Sequence, residues 1–247
     1  MNDAVHTPCE SMNTTTPQTV KRYFNTIACR YDLLNSLLSF GLHHLWKRTA
    51  IALAGLMPGD RVLDVCGGTA DLAIRAARSV GGAGRVAVYD FSSKMLSVGK
   101  TKAAAAVLSH PVCFVCGDAG QIAAKDALFE VVLIGFGLRN LADREKGLRE
   151  MLRVLKPGGR LICLEFSRPV NPWFRVIYDL YSLYGIPFIG KAVGGSREAY
   201  TYLPDSIRSF PSPEQLSLIF NKAGFTEVRY TRLTNGIAAI HVGIKKA

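Results

Sequence analysis

Val62-Leu-Asp-Val-Cys-Gly-Gly-Thr-Ala-Asp71 decides the fold. A strand-like run, Arg61 to Cys66, meets two adjacent glycines and then helix-like text from Ala70 to Val80. Glycines at a strand-to-helix turn let the backbone come close to a ligand. No third glycine opens the helix, so the G-x-G-x-x-G fingerprint of nicotinamide enzymes is missing.

Downstream, the same rhythm repeats. Strand-like Arg85 to Asp90 precedes a helix from Ser92 to Ala106, and strands follow at Val112 to Cys116 and Phe129 to Ile134. A helix from Asp143 to Leu155 is stopped by Lys156-Pro157-Gly158-Gly159, and Arg160 to Glu165 is a fifth strand. Repeated βαβ text implies an α/β fold, a parallel sheet with helices on both faces and ligands at the carboxyl ends of its strands. Residues 167–212 break the rhythm with many aromatics and are expected to form an inserted lid. A helix from Pro213 to Ala223 then leads to strands Thr226 to Leu233 and Ile237 to Ile244. Their link, Thr234-Asn235-Gly236, is a hairpin turn that makes the sheet end antiparallel. Upstream, residues 19–56 read as helices after a polar, flexible segment, 1–18, so the expected organisation is one domain over 19–247.

The 247 residues are 49% hydrophobic and 20% charged, which allows one large domain with a sizeable core. The longest stretch free of Asp, Glu, Lys and Arg, Ala103 to Gly117, is too short and broken to span a bilayer, and residues 1–18 lack a signal-peptide pattern. A cytoplasmic protein is expected. Residues 139–247 hold 17 Lys and Arg against 9 Asp and Glu, so 8 of the 11 net positive charges lie there. Such a surface suits an anionic membrane, nucleic acid or an acidic ligand, or is merely solvated. The six cysteines, Cys113 and Cys116 among them, are expected to be buried and structural. Side chains three apart on a strand face opposite ways, a poor geometry for a redox pair. No metal site is expected, since the adjacent His43 and His44 do not share a helix face.

Asp64, Asp90 and Asp118 each stand on or just beyond successive strands beside the glycine loop. A carboxylate after the second strand can accept both ribose hydroxyls, and one after the third can accept an adenine amino group. Three in register point to a nucleoside ligand, although each alone could be a turn former or cap.

This combination resembles the seven-stranded methyltransferases that use S-adenosyl-L-methionine, a Rossmann-like, mostly parallel sheet with an antiparallel last strand. Four further stretches, Tyr31 to Trp46, Gly135 to Asn140, Arg153 to Ser167 and Glu198 to Arg208, resemble the UbiE/MenG quinone C-methyltransferases. The resemblance implies that Gly67, Thr69, Asp90, Asp118 and Ala119 meet the cofactor, with Asp64 in the same loop. Where the family usually has Gly, this chain has Ala70, which implies an ordinary negative φ there. Gly135, where ubiquinone-pathway members tend to carry Ser, tilts the implied substrate towards demethylmenaquinol, with a ubiquinone precursor or both as the alternative.

Methylation of a quinol carbon needs the ring in line with the donor and its developing phenolate stabilised. Arg139 is the main candidate for that role, or for orienting a water that takes the proton; its alternative is a plain ion pair. Asn140 either orients the ring or caps the next helix. Tyr178, Tyr200 and Tyr202 either line the quinone pocket or pack, while His43, Trp46 and Glu165 read as scaffold. The implied substrate is membrane-embedded, so transient contact with an anionic membrane surface is expected, and a homo-oligomer is compatible. A nucleic-acid partner is not expected: Gly135-Phe-Gly-Leu-Arg-Asn140 occupies the place of the Asn/Asp-Pro-Pro-aromatic motif of base-amine methyltransferases. A non-enzymatic scaffold would have an eroded glycine loop or Asp90, and neither is eroded.

Overall fold

The computed structural model describes residues 16–185, 188 and 197–247, with the backbone alone for 17 and 197–201. Three helices come first: α1 (Pro17–Ile27), α2 (Tyr31–Leu38) and α3 (Leu42–Ala54). Thr16 caps α1 by accepting the backbone N–H of Thr19.

The alternating part runs β1 (Arg61–Val65), α4 (Asp71–Val80), β2 (Arg85–Asp90), α5 (Ser93–Ala105), β3 (Cys113–Cys116), β4 (Phe129–Gly135), α6 (Arg144–Val154) and β5 (Leu155–Phe166). Ser92 and Asp143 accept the N–H groups of Met95 and Lys146 and so fix where α5 and α6 begin. After α7 (Pro172–Leu180) and α8 (Arg197–Arg208) come α9 (Pro213–Ala223), β6 (Phe225–Leu233) and β7 (Ala238–Lys245). Among the described residues the expected lid therefore carries α7 and α8, with a further helical turn at Tyr181–Gly185; its residues 186–187 and 189–196 lie outside the described residues, as do 1–15 of the N-terminal segment.

The seven strands lie in the order β3-β2-β1-β4-β5-β7-β6. Strands β1 to β5 pair in parallel, and β7 runs antiparallel to both neighbours. Alternation along each strand splits the core into two layers. Val62, Val131, Leu133, Ile162 and Leu164 face α3 and α4. Leu63, Val65, Val132, Ile134 and Leu161 face α6 and α9. The order reverses between β1 and β4, which opens a crevice at their carboxyl ends.

Two expectations need correction. β5 starts at Leu155 instead of Arg160: α6 stops as expected, but Lys156–Gly159 continue as strand, with an irregular register opposite Phe129 and Val131 and an ion pair from Lys156 to Glu130. Among the described cysteines, Cys163 alone is buried; Cys66 is half-buried and Cys29, Cys113 and Cys116 are exposed. Cys113 and Cys116 are exposed because β3 is the edge strand of the sheet. Cys9 lies outside the described residues.

Candidate active site

The crevice holds a cavity of about 480 Å³, within the range of small-ligand pockets. Its walls include Asp64 on β1 with Gly67 and Thr69 beyond it, Asp90 at the end of β2, Asp118 and Ala119 after β3, and Asn140 after β4. The strand-end candidates thus converge on one space, and Arg139 stands apart from it.

The glycine loop is wound tightly. Cys66, Gly68 and Ala70 have φ of 53°, 51° and 66°, so Ala70 does not take the negative φ expected of it. A Cβ on Gly67 would stand 2.8 Å from the Asp64 carboxyl group, which is why only glycine fits there. Ala70 holds a left-handed conformation with its methyl group fully buried, because the chain must reverse before α4 begins at Asp71.

The carboxylates have distinct surroundings. Asp90 accepts the backbone N–H groups of Gly68 at 3.0 Å and Ser92 at 2.8 Å, and burial pushes its pKa up to about 6. Asp64 accepts the N–H of Ala73 at 3.0 Å, while its Oδ1 is buried with no partner among the described residues. Burial, with Asp90 nearby, lifts its pKa to about 8. Asp118 accepts the N–H of Gly120 in a local turn.

A charged network that no sequence motif signalled braces this wall. The Thr69 hydroxyl donates to Asp32 at 2.7 Å, and Lys102 reaches both Asp32, at 2.6 Å, and Asp71. Lys47 donates to the other oxygen of Asp71 at 2.5 Å. Burial alone would raise the pKa of Asp71, but Lys47 and Lys102 hold it well below the usual range. The helices α1 and α2 also add Lys21, Phe24 and Tyr31 to the cavity wall.

Arg139 lines a second, smaller pocket of about 50 Å³, with Tyr23, Phe24, Tyr31, Phe166 and Tyr202 among its walls. The ion-pair alternative is met: Arg139 Nη1 lies 3.0 Å from Glu165 Oε2, with both side chains almost wholly buried. Nη1 also donates to the Phe136 carbonyl at 2.6 Å. The Nε–H, however, is buried with no acceptor among the described residues, and the guanidinium carbon sits 5.3 Å from the Phe166 ring centre. Asn140 caps no helix, since Asp143 caps α6; its amide donates to the Phe136 carbonyl and its Oδ1 accepts the Tyr202 hydroxyl at 2.9 Å. Tyr178 lines neither pocket, and the Tyr200 side chain lies outside the described residues. Of the expected scaffold, Trp46 donates to Thr234 at 2.8 Å, and burial holds the His43 pKa down at about 4.

A Rossmann-like sheet with an antiparallel β7, carboxylates on or just beyond three successive strands and a glycine loop on one cavity together define an S-adenosylmethionine-dependent methyltransferase. Solved structures share the fold: a SAM-dependent methyltransferase from Aquifex aeolicus (TM-score 0.57, 20% identity, 80% of this chain and 88% of that one). Another from Thermotoga maritima gives a TM-score of 0.63 at 19% identity, covering 91% and 99%. The model of the ubiE/COQ5 methyltransferase family matches residues 12–245, and the chain belongs to that family. The protein named ubiquinone/menaquinone biosynthesis C-methyltransferase UbiE of Ectopseudomonas mendocina is 46% identical over 92% of this chain and 88% of its own. Its counterpart in Francisella philomiragia is 44% identical over 90% and 89%. S-adenosyl-L-methionine is accordingly the cofactor, and the unpartnered Asp64 Oδ1 and the tight glycine loop fit a cationic ligand there.

Proposed function

We propose that the protein methylates a ring carbon of demethylmenaquinol. The observation that carries this reading is the buried Arg139 Nε–H, free of any described acceptor, in an aromatic pocket that shares Phe24 and Tyr31 with the cofactor cavity. Bound S-adenosylmethionine supplies an electrophilic methyl group on a sulfonium. Asp118 and Ala119 would hold the adenine, Asp90 the ribose hydroxyls, and the Gly67–Thr69 turn the amino-acid end, all of them lining the one cavity. Flat aromatic walls hold a quinol ring, and Arg139 donates to the hydroxyl oxygen that becomes a phenolate when a water takes its proton; the ring carbon then takes the methyl group from sulfur, leaving a neutral thioether, and gives up its own proton to water to restore the aromatic ring. In a low-dielectric pocket one such donor is worth about 10²–10³ in rate. The Tyr202–Asn140 hydrogen bond steadies the edge between the two pockets.

The preference for the naphthoquinol over a benzoquinol rests on the family resemblance at Gly135, where ubiquinone-pathway members tend to carry Ser; in the structure Gly135 lines the cofactor cavity. The names of the relatives span both pathways and favour dual specificity as the second reading. A quinol with an isoprenoid tail also brings the protein to the bilayer. On α7, Trp173, Val176, Ile177 and Leu180 form an exposed apolar stripe at helical spacing, with no residue of that helix buried.

The test is to incubate the protein with S-adenosylmethionine and chemically reduced demethylmenaquinone, beside a parallel methoxy-benzoquinol reaction, and weigh the products. One added methyl on the naphthoquinol is expected. Methylation of the benzoquinol alone would reverse the preference, and no product on either would reject the quinone reading.

A further inference from the structure

The smaller pocket is roofed by α1, α2 and α8, so a tail on its occupant must leave past one of these helices. Two of them turn polar groups outward. On α1 the exposed described side chains are Gln18, Lys21, Arg22 and Thr26, and on the described part of α8 they are Asp205 and Arg208. The third helix differs. On α2, Leu34 and Leu38 line the pocket one turn apart, while Leu33 and Leu37 form the neighbouring row and are 54% and 42% exposed. Apolar surface thus runs from the pocket to solvent along one helix.

Tyr181 stands at this seam. It packs against Leu34, as do the pocket walls Leu38 and Leu203. Its hydroxyl donates to the Leu38 carbonyl at 2.9 Å, so neither group is left bare against a hydrocarbon. Its ring centre lies 5.6 Å from that of Phe40. Phe40 is 76% exposed and holds a φ of 50°, a left-handed conformation that is costly for an aromatic residue. Single exposed apolar side chains are ordinary, but a continuous row that begins inside a pocket marks a binding surface.

We infer that the seam between α2 and Tyr181 is a binding track for the first isoprene units of the acceptor's tail. The chain passes Leu34 and Leu38, runs beside Tyr181 and lies on Leu37 and Phe40. The track rests on the quinol reading above and adds to it a site for the tail. Since α7 ends at Tyr181, the outer end of the track lies at the foot of the exposed α7 stripe, and the rest of a long tail stays in the bilayer.

The experiment compares naphthoquinols carrying no tail, one isoprene unit or two, as free solutes without detergent or vesicles, so that attraction to a membrane plays no part. With saturating S-adenosylmethionine, KM for wild type should fall roughly ten- to a hundredfold from no tail to two units, with kcat nearly constant. That is the scale of partly burying about ten carbons of hydrocarbon. Leu37→Gln with Phe40→Gln should erase most of this ratio. A second readout needs no turnover: the oxidised two-unit ligand, with a photoreactive diazirine on its second unit, should cross-link wild type within the tryptic peptide Tyr31–Lys47, which holds α2 and Phe40. Equal KM across the series, or cross-links confined to α1 or α8, overturns the track. A double variant that raises KM for all three ligands by one factor also overturns it, because Leu37 and Phe40 then only support the pocket. Should that variant fail to fold, the wild-type series and the cross-link still decide. No methylation of any of the three rejects the quinol reading itself, a failure distinct from methylation without a tail preference.

Discussion

Glu165 grips Arg139 twice, accepting its backbone N–H at 3.1 Å on Oε1 and its Nη1–H at 3.0 Å on Oε2. The guanidinium is thereby fixed at the wall of the aromatic pocket, its buried Nε–H without an acceptor among the described residues. Arg139→Gln should keep cofactor binding and lose most turnover. It should also cost about 3–5 kcal/mol of stability, because Glu165 is left as a buried, uncompensated charge. Arg139→Met with Glu165→Leu should restore much of that stability but none of the turnover. Denaturant melts beside methyl-transfer assays check both; a double variant that regained activity would remove Arg139 from the chemistry.

Ala70 offers a stability gain at the cofactor loop. Its φ of 66° suits glycine, and the strain should exceed the extra unfolded-state freedom that glycine brings. Ala70→Gly is expected to raise unfolding free energy by about 1 kcal/mol. A urea melt with unchanged or lower stability would show that the Ala70 methyl packing outweighs the strain.

Asp64 gives a pH signature. Its folded pKa of about 8 lies above the unfolded value, roughly 3.9, so the folded state binds the extra proton between them. Its contribution to stability is complete below about pH 4 and is lost as pH rises through about 8, at up to ~1.4 kcal/mol per pH unit. Melts of wild type and Asp64→Asn at pH 5 and pH 8 check this: the variant should lose less between the two. A cationic ligand in this cavity should also draw off the proton, so cofactor binding near neutral pH should give a buffer-dependent heat.

The α7 stripe should carry the bilayer contact. Ile177→Glu with Leu180→Glu should abolish binding to anionic vesicles at low salt and leave methylation of a short-tailed, water-soluble quinol intact. Both side chains are exposed, so folding should be unaffected. Unchanged sedimentation with vesicles would move the contact elsewhere.

The fold was legible because βαβ text carries its own period, and because Thr234-Asn235-Gly236 announced the antiparallel end, where all three take positive φ. The cofactor wall was legible for a related reason: Asp64, Asp90 and Asp118 lie on or next to strands that the text itself delimits. Lys47, Asp32 and Lys102 were not, since they meet only after helices distant in sequence pack together. The smaller pocket was hidden likewise, because its walls come from α1, α2, the ends of β4 and β5, and α8. Ala70 misled because its residue type argues against the left-handed turn that the neighbouring backbone imposes.

Phe24 and Tyr31 form a party wall between the two pockets. Any ligand that shifts these rings on one side alters the free energy of occupancy on the other, and thermodynamics makes the effect mutual. The factor by which a bound quinol changes affinity for the methyl donor must equal the factor by which the donor changes affinity for the quinol. Occupancy of one pocket is thereby linked to occupancy of the other through two shared rings.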